Sequence, residues 1–220
     1  MPRYFIELSY KGTRYSGFQT QENAVTIQSE VEKAFAVLHR APVFLTGSSR
    51  TDAGVHALQN YFHFDYANGV HTQFVYKMNA ILPPDIVLKR LQIMGEEMHS
   101  RFDALSREYN YFIYRSKDPF LEDRAYYFPY QINLERMQAA AAILKEYEDF
   151  TSFSKRNTQV KSFQCRIEQS EWKVQGDCLV YHVKGNRFLR GMVRALTATM
   201  LKVGRGKISL EEFRTIIEAK

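Results

Sequence analysis

Residues 43–65 read VFLTGSSRTDAGVHALQNYFHFD, two runs of strand character on either side of a loop of small residues. Val43 to Thr46 reads as a short strand, and Val55 to Asp65 as a longer one carrying Leu58, Phe62 and Phe64 on one face. GSSRTDAG between them is a loop, and its composition is unusual. Arg50 and Asp52 stand two apart among Gly47, Ser48, Ser49, Ala53 and Gly54, which let backbone and ligand approach closely. An ionised Asp beside a fixed guanidinium stays deprotonated at neutral pH, since opposite charge favours the charged form. Such a carboxylate suits a nucleophile, although a lone R-x-D is also what an Asx-turn with a surface ion pair looks like.

Upstream, Tyr4, Ile6, Leu8 and Tyr10 alternate with Phe5, Glu7 and Ser9 as a first strand, followed by the glycine-bearing loop KGTRYSGFQTQEN. Ile27, Val31, Ala34, Phe35 and Leu38 then recur at helical spacing behind Thr26 as N-cap. Downstream, a helix near Phe74 to Ala80 stops before Leu82-Pro83-Pro84-Asp85, because a residue preceding proline is pushed out of the helical region. A strand near Ile86 to Met94 completes a strand-helix-strand-strand-helix-strand order, the ferredoxin-like split βαβ arrangement.

The second half repeats that order with unrelated residues. Tyr109, Tyr111 and Ile113 alternate along a strand, and Asn133 caps a helix with the apolar face Leu134, Met137, Ala141 and Leu144. A hairpin follows, Phe163 to Val174 and Cys178 to Lys184, joined through Gln175-Gly176-Asp177. The next helix carries Met192, Ala195, Leu196, Thr199, Met200 and Val203 on one side and is expected to close with Gly204 in the C-cap position. Ser209-Leu210-Glu211-Glu212 is a capping box that opens one more helix. The expectation is an α+β chain of two ferredoxin-like βαββαβ halves, 1–105 and 106–220, with sheets joined edge to edge and the last strand of the second half missing.

Composition bounds the function. The 220 residues are 45% apolar and 25% charged, enough to bury a core. Thirty basic against 24 acidic residues leave a net +6 and a pI near 9.2, which points to an anionic partner. The excess lies in the second half, since residues 1–105 hold ten of each sign. Lys184 to Lys207 contains Lys184, Arg187, Arg190, Arg194, Lys202, Arg205 and Lys207 with no acid, and Thr151 to Arg166 adds Lys155, Arg156, Lys161 and Arg166. Phe153, Phe163 and Phe188 beside these charges favour RNA, because aromatic faces stack bases while cations hold phosphates.

No apolar run of about 18 residues could span a bilayer, and MPRYFIELSYKG alternates like a strand rather than a signal peptide, so a soluble, cytoplasmic protein is expected. Cys165 and Cys178 read as buried thiols. His56, His63 and His71 lack metal-ligand spacing, so no metal is expected. Gly204-Arg205-Gly206-Lys207 lacks the upstream glycine and strand of a phosphate-binding loop and reads as a helix end.

RTDAGVHA resembles the active-site motif of the tRNA pseudouridine synthase A family. The resemblance extends through SYKGTRYSGFQTQENAVTIQSEVEKAF, MNAILPPDI, RFDALSREYNYFIY and GNRFLRGMVRALTATMLKVGRGKIS, five blocks in order. It implies isomerisation of uridine to pseudouridine in the tRNA anticodon stem-loop at positions 38 to 40, by a homodimer, without cofactor. It makes Asp52 the nucleophile, Tyr109 the aromatic stacked on the target uracil and Arg194 the cation paired with Asp52. Arg50 would help keep the target nucleotide flipped out. Lys11 stands where the family usually has Asp and Phe18 where Trp is common, and the family's closing strand is not found. Two other functions use the same residues: an RNA-binding scaffold with a dead site, and a nucleoside hydrolase built on one carboxylate. The intact Asp52, Arg50, Tyr109 and Arg194 argue against the first. The lack of a second acid in the loop argues against the second.

Overall fold

The computed structural model describes residues 1–155 and 160–219. Arg156 of the basic stretch lies outside the described residues. The chain divides into two compact units, Met1–Ala104 and Leu105–Lys220.

The first unit runs β1 (Arg3–Tyr10), α1 (Ile27–His39), β2 (Thr46–Gly47), β3 (Ala57–Asp65), α2 (Phe74–Ile81) and β4 (Ile86–Met94). Its four strands are antiparallel in the order β2-β3-β1-β4. The period-two alternation of β1 sends Tyr4, Ile6, Leu8 and Tyr10 into a core shared with Val31, Phe35, Phe62, Phe64, Phe74 and Met78. Thr26 caps α1 as expected, accepting from the Ser29 N–H, and Ser29 returns the bond to the Thr26 backbone. α2 stops at Leu82, whose ψ of 149° is the extended backbone a following proline imposes.

Two expectations here are corrected. The short strand begins at Thr46 rather than Val43, because α1 side chains take the backbone of Leu45. Glu32 Oε1 accepts the Leu45 N–H at 3.2 Å, and Gln28 Nε2 donates to its carbonyl at 2.9 Å. Leu58 is 83% exposed rather than facing inward with Phe62 and Phe64. The β1–β3 register passes from Leu8↔Asn60 to Tyr10↔Ala57, so β3 holds one extra residue there and the side-chain alternation changes face.

The second unit comprises β5 (Arg107–Tyr114), β6 (Tyr126–Tyr127), α3 (Leu134–Ile143), β7 (Ile167–Gln175), β8 (Cys178–Gly185), α4 (Met192–Gly204) and α5 (Leu210–Glu218). The sheet order is β6-β5-β8-β7. Sequence periodicity missed β6, which pairs parallel to β5 through Ile113↔Tyr126 and Tyr114↔Tyr127 only. Two residues are too short for a period to register. α3, α4 and α5 close over one sheet face around Ile113, Tyr181, Val183, Met137, Leu196 and Phe213. Asn133 caps α3 by accepting the Arg136 N–H at 2.9 Å, and the Ser209 capping box of α5 forms with Glu212. Both cysteines are buried free thiols, and burial pushes Cys165 up to about 11.

Four readings change in this unit. The hairpin's first strand starts at Ile167, because the chain before it pairs elsewhere: Phe150 N donates to Phe163 O and Cys165 N to Glu148 O. Leu134 is 37% exposed, and Ala140 takes its place in the α3 core. On α4, Thr197 and Leu201 are buried where Ala195 and Thr199 are half-buried. Gly204 is the last residue of α4 rather than a left-handed cap. Its missing side chain serves packing, since a β-carbon there would stand 2.6 Å from Met137 Cγ. The left-handed glycine is Gly206, with φ 68°.

Candidate active site

The loop between β2 and β3 presents Arg50 and Asp52, both exposed. They share the loop, but the surface ion pair that an R-x-D can also form is not made: no salt bridge or hydrogen bond joins them among the described residues. What fixes Asp52 is the backbone on either side of it. The Phe18 N–H donates to the Thr51 carbonyl at 3.1 Å, and the Val55 N–H to the Asp52 carbonyl at 3.2 Å, a turn that Gly54 completes at φ 77°. Gly17, at φ 100°, lets the glycine loop reach this turn: a β-carbon there would stand 3.1 Å from the Thr51 carbonyl oxygen. His56 Nδ1 accepts the Gly12 N–H at 2.9 Å, which ties the Asp52 loop to the glycine loop.

Beneath the loop, the buried amide of Asn60 touches both serines. Ser48 Oγ donates to Asn60 Oδ1 at 2.7 Å, and Asn60 Nδ2 donates to the Ser49 carbonyl at 3.2 Å and to Tyr10 Oη at 3.1 Å. Tyr10 Oη lies 2.8 Å from Thr51 Oγ1. Sequence reading missed Asn60 and Tyr10 as supports because each sits in a strand and reads there as a strand residue. Their only early signal is a polar Asn60 on the same alternation as Phe62 and Phe64.

The glycine loop is itself anchored at the start of β4. Asp85 accepts from Tyr15 Oη at 2.5 Å and Arg14 Nε at 2.8 Å, and its backbone carbonyl accepts the Lys11 N–H at 2.9 Å. Although burial opposes it, those hydrogen bonds and the Arg14 charge hold the Asp85 carboxyl below the usual carboxylate range. Asp85 therefore belongs to the positioning of the loop rather than to chemistry.

Tyr109 and Arg194 lie in the second unit. Tyr109 stands in β5 opposite Val183, half-buried, with Phe188 edge-on to its ring at 5.2 Å between centroids. Arg194, in the first turn of α4, borders a cavity of about 420 Å³ together with Tyr111, Tyr126, Phe128, Thr197 and Lys202. Burial pushes the Tyr111 hydroxyl up, and the Arg194 charge opposes that rise.

The basic stretches look different in three dimensions. Glu168 stands two residues after Arg166 and 3.5 Å from it, and the pairing of β7 with β8 also brings it to 3.7 Å from Lys184, an acid neighbour that linear counting does not reveal. Arg205 lies 4.0 Å over the Tyr130 ring. Phe153 is only 3% exposed, packed near Phe213, and cannot stack on a base. Phe163 and Phe188 remain half-buried. Among the described residues no His, Cys, Asp and Glu cluster could hold a metal ion, and no helix is long and apolar enough to cross a membrane.

The chain is similar to known proteins along its whole length. A family profile described as tRNA pseudouridine synthase matches residues 140–220. A tRNA pseudouridine synthase A of Parabacteroides distasonis is 44% identical over 222 residues, covering 100% of this chain and 88% of the relative. The Porphyromonas gingivalis protein of the same name is 44% identical over 100% of the chain and 89% of the relative. That of Bacillus subtilis is 39% identical over 97% and 88%.

Proposed function

The chain belongs to the tRNA pseudouridine synthase A family, and on that premise we propose that it isomerises uridine to pseudouridine in the tRNA anticodon stem-loop, at positions 38 to 40, with Asp52 as nucleophile and no cofactor. The observation that carries the reading is the exposed Asp52 side chain on a loop whose backbone is hydrogen-bonded on both sides. A carboxylate presented this way can meet a bound nucleotide without first rearranging the chain.

The reaction breaks the N1–C1′ bond and joins C5 to C1′. Asp52 forms a transient bond to the sugar or the ring and is released when the new C–C bond forms; the proton lost from C5 and the one gained at N1 balance. Uracil stays in the site throughout, so water must be kept from the intermediate. Tyr109 supplies the flat wall against the uracil, Arg194 the positive charge for Asp52, and Arg50 a hold on the extruded nucleotide. Extrusion costs about a few kcal/mol, which contacts of the cationic second half with phosphates offset. The acting species is a cytoplasmic homodimer.

The test is release of tritium from tRNA labelled at C5 of uridine. The protein is expected to release it, and Asp52→Asn to release none while binding tRNA about as tightly. Full activity of Asp52→Asn places the nucleophile elsewhere, and free uracil among the products points to hydrolysis.

A further inference from the structure

Asn60 is 4% exposed, and every hydrogen-bonding position of its amide is occupied. Oδ1 accepts from Ser48 Oγ at 2.7 Å and from the Tyr61 N–H at 2.9 Å, with Ser49 Oγ at 3.3 Å. The two Nδ2 protons go to the Ser49 carbonyl and to Tyr10 Oη. This arrangement admits one orientation only. Turning the amide over would set NH₂ against the Tyr61 N–H and a carbonyl oxygen against the Ser49 carbonyl. Tyr10 Oη, which accepts from Asn60 Nδ2, is also hydrogen-bonded to Thr51 Oγ1, 2.8 Å away. One buried amide thus reaches Ser48 and Ser49 directly and Thr51 through a tyrosine hydroxyl, the three non-cationic residues leading to Asp52. Chains of hydrogen bonds in a low-dielectric interior reinforce one another, and a half-satisfied one is costly.

We propose that Asn60 is a positioning residue for the reaction: through Ser48, Ser49 and the Tyr10–Thr51 bond it sets the place and direction of the Asp52 carboxylate. The proposal rests on Asp52 being the nucleophile. A nucleophile gains rate only within a narrow approach geometry, and a shift of about 1 Å costs up to about a hundredfold. Asn60→Asp keeps the shape and the acceptor contacts of Oδ1 but replaces the two donors with an acceptor oxygen, which leaves the Ser49 carbonyl without its donor.

The experiment measures kcat and KM by tritium release from tRNA, beside thermal unfolding. Asn60→Asp is expected to lower kcat about ten- to hundredfold with KM for tRNA nearly unchanged. Tyr10→Phe lowers kcat in the same direction, and the double variant is no worse than the poorer single, because both cut one chain. Thr51→Val lowers kcat and Thr51→Ser, which restores Oγ, recovers it; these two carry the test if Asn60→Asp does not fold. Normal kcat in folded Asn60→Asp, or in Tyr10→Phe and Thr51→Val, overturns the positioning role while an inactive Asp52→Asn leaves the nucleophile standing. An active Asp52→Asn removes both.

Discussion

Gly12 lies so close to Val55 that a β-carbon built on it would overlap the Val55 carbonyl, while its N–H donates to His56 Nδ1 at 2.9 Å. The loop after β1 and the loop that carries Asp52 are thus in backbone contact. Gly12→Ala is expected to push residues 52–56 outward. It should cost about 1–3 kcal/mol in urea unfolding and reduce tritium release more than tRNA binding. A variant as active and stable as the parent would show that the contact yields easily.

His63 ties β3 to the segment after β4. Its Nδ1 lies 2.8 Å from Ser100 Oγ and accepts the Ser100 N–H at 3.3 Å, and Ser100 Oγ is 3.1 Å from the Thr46 carbonyl. Burial, followed by the neighbouring His99 and Arg3 charges, holds this histidine below its ordinary value, with Asp65 opposing. The unfolded chain therefore takes up this proton first as the solution is acidified. The stabilisation is complete above about pH 6.5 and is lost as pH falls toward the lower folded value. Urea unfolding from pH 7.5 to 5 should show the loss, and His63→Asn, whose Oδ1 can occupy the Nδ1 position, should flatten it. An equal slope in both proteins assigns the proton to another group.

Gly204 of α4 packs directly against Met137 of α3, and the Asn133 N–H donates to the Gly204 carbonyl at 2.8 Å. Alanine is a better helix former than glycine, so propensity alone predicts that Gly204→Ala stabilises. Overpacking against Met137 is the larger effect, and a net loss of about 1–3 kcal/mol is expected on chemical denaturation.

Thr197 offers the opposite case. Its Oγ1 is buried without a hydrogen-bond partner among the described residues, whereas Thr199 Oγ1, two residues on, donates to the Ala195 carbonyl at 2.9 Å. Removing an unpartnered hydroxyl at constant shape removes a desolvation cost of about 1–3 kcal/mol. Thr197→Val should therefore raise the melting temperature, while Thr199→Val leaves it near the parent value.

Apart from the two-residue β6, the order of elements was readable because the longer ones carry their own local signals. β1 alternates at period two, α1 repeats at helical spacing behind Thr26, and Ser209 and Glu212 announce α5 within four residues. The Asp52 loop was readable because RTDAGVHA is contiguous. These features are local: backbone sterics, capping bonds and side-chain alternation act within a few residues, so the chain's own order contains them. Contacts between distant residues decided the rest. The bulge that turns Leu58 outward arises from pairing with β1, the late start of β2 from side chains of α1, and the true role of Gly204 from Met137 on another helix. β7 puts Glu168 beside Lys184, which a linear count of charge keeps apart. Asn60 is the clearest instance. In the sequence it is one polar residue in a strand, and only folding, which brings Tyr10 and the Ser48–Thr51 loop within hydrogen-bond reach, gives its amide something to hold.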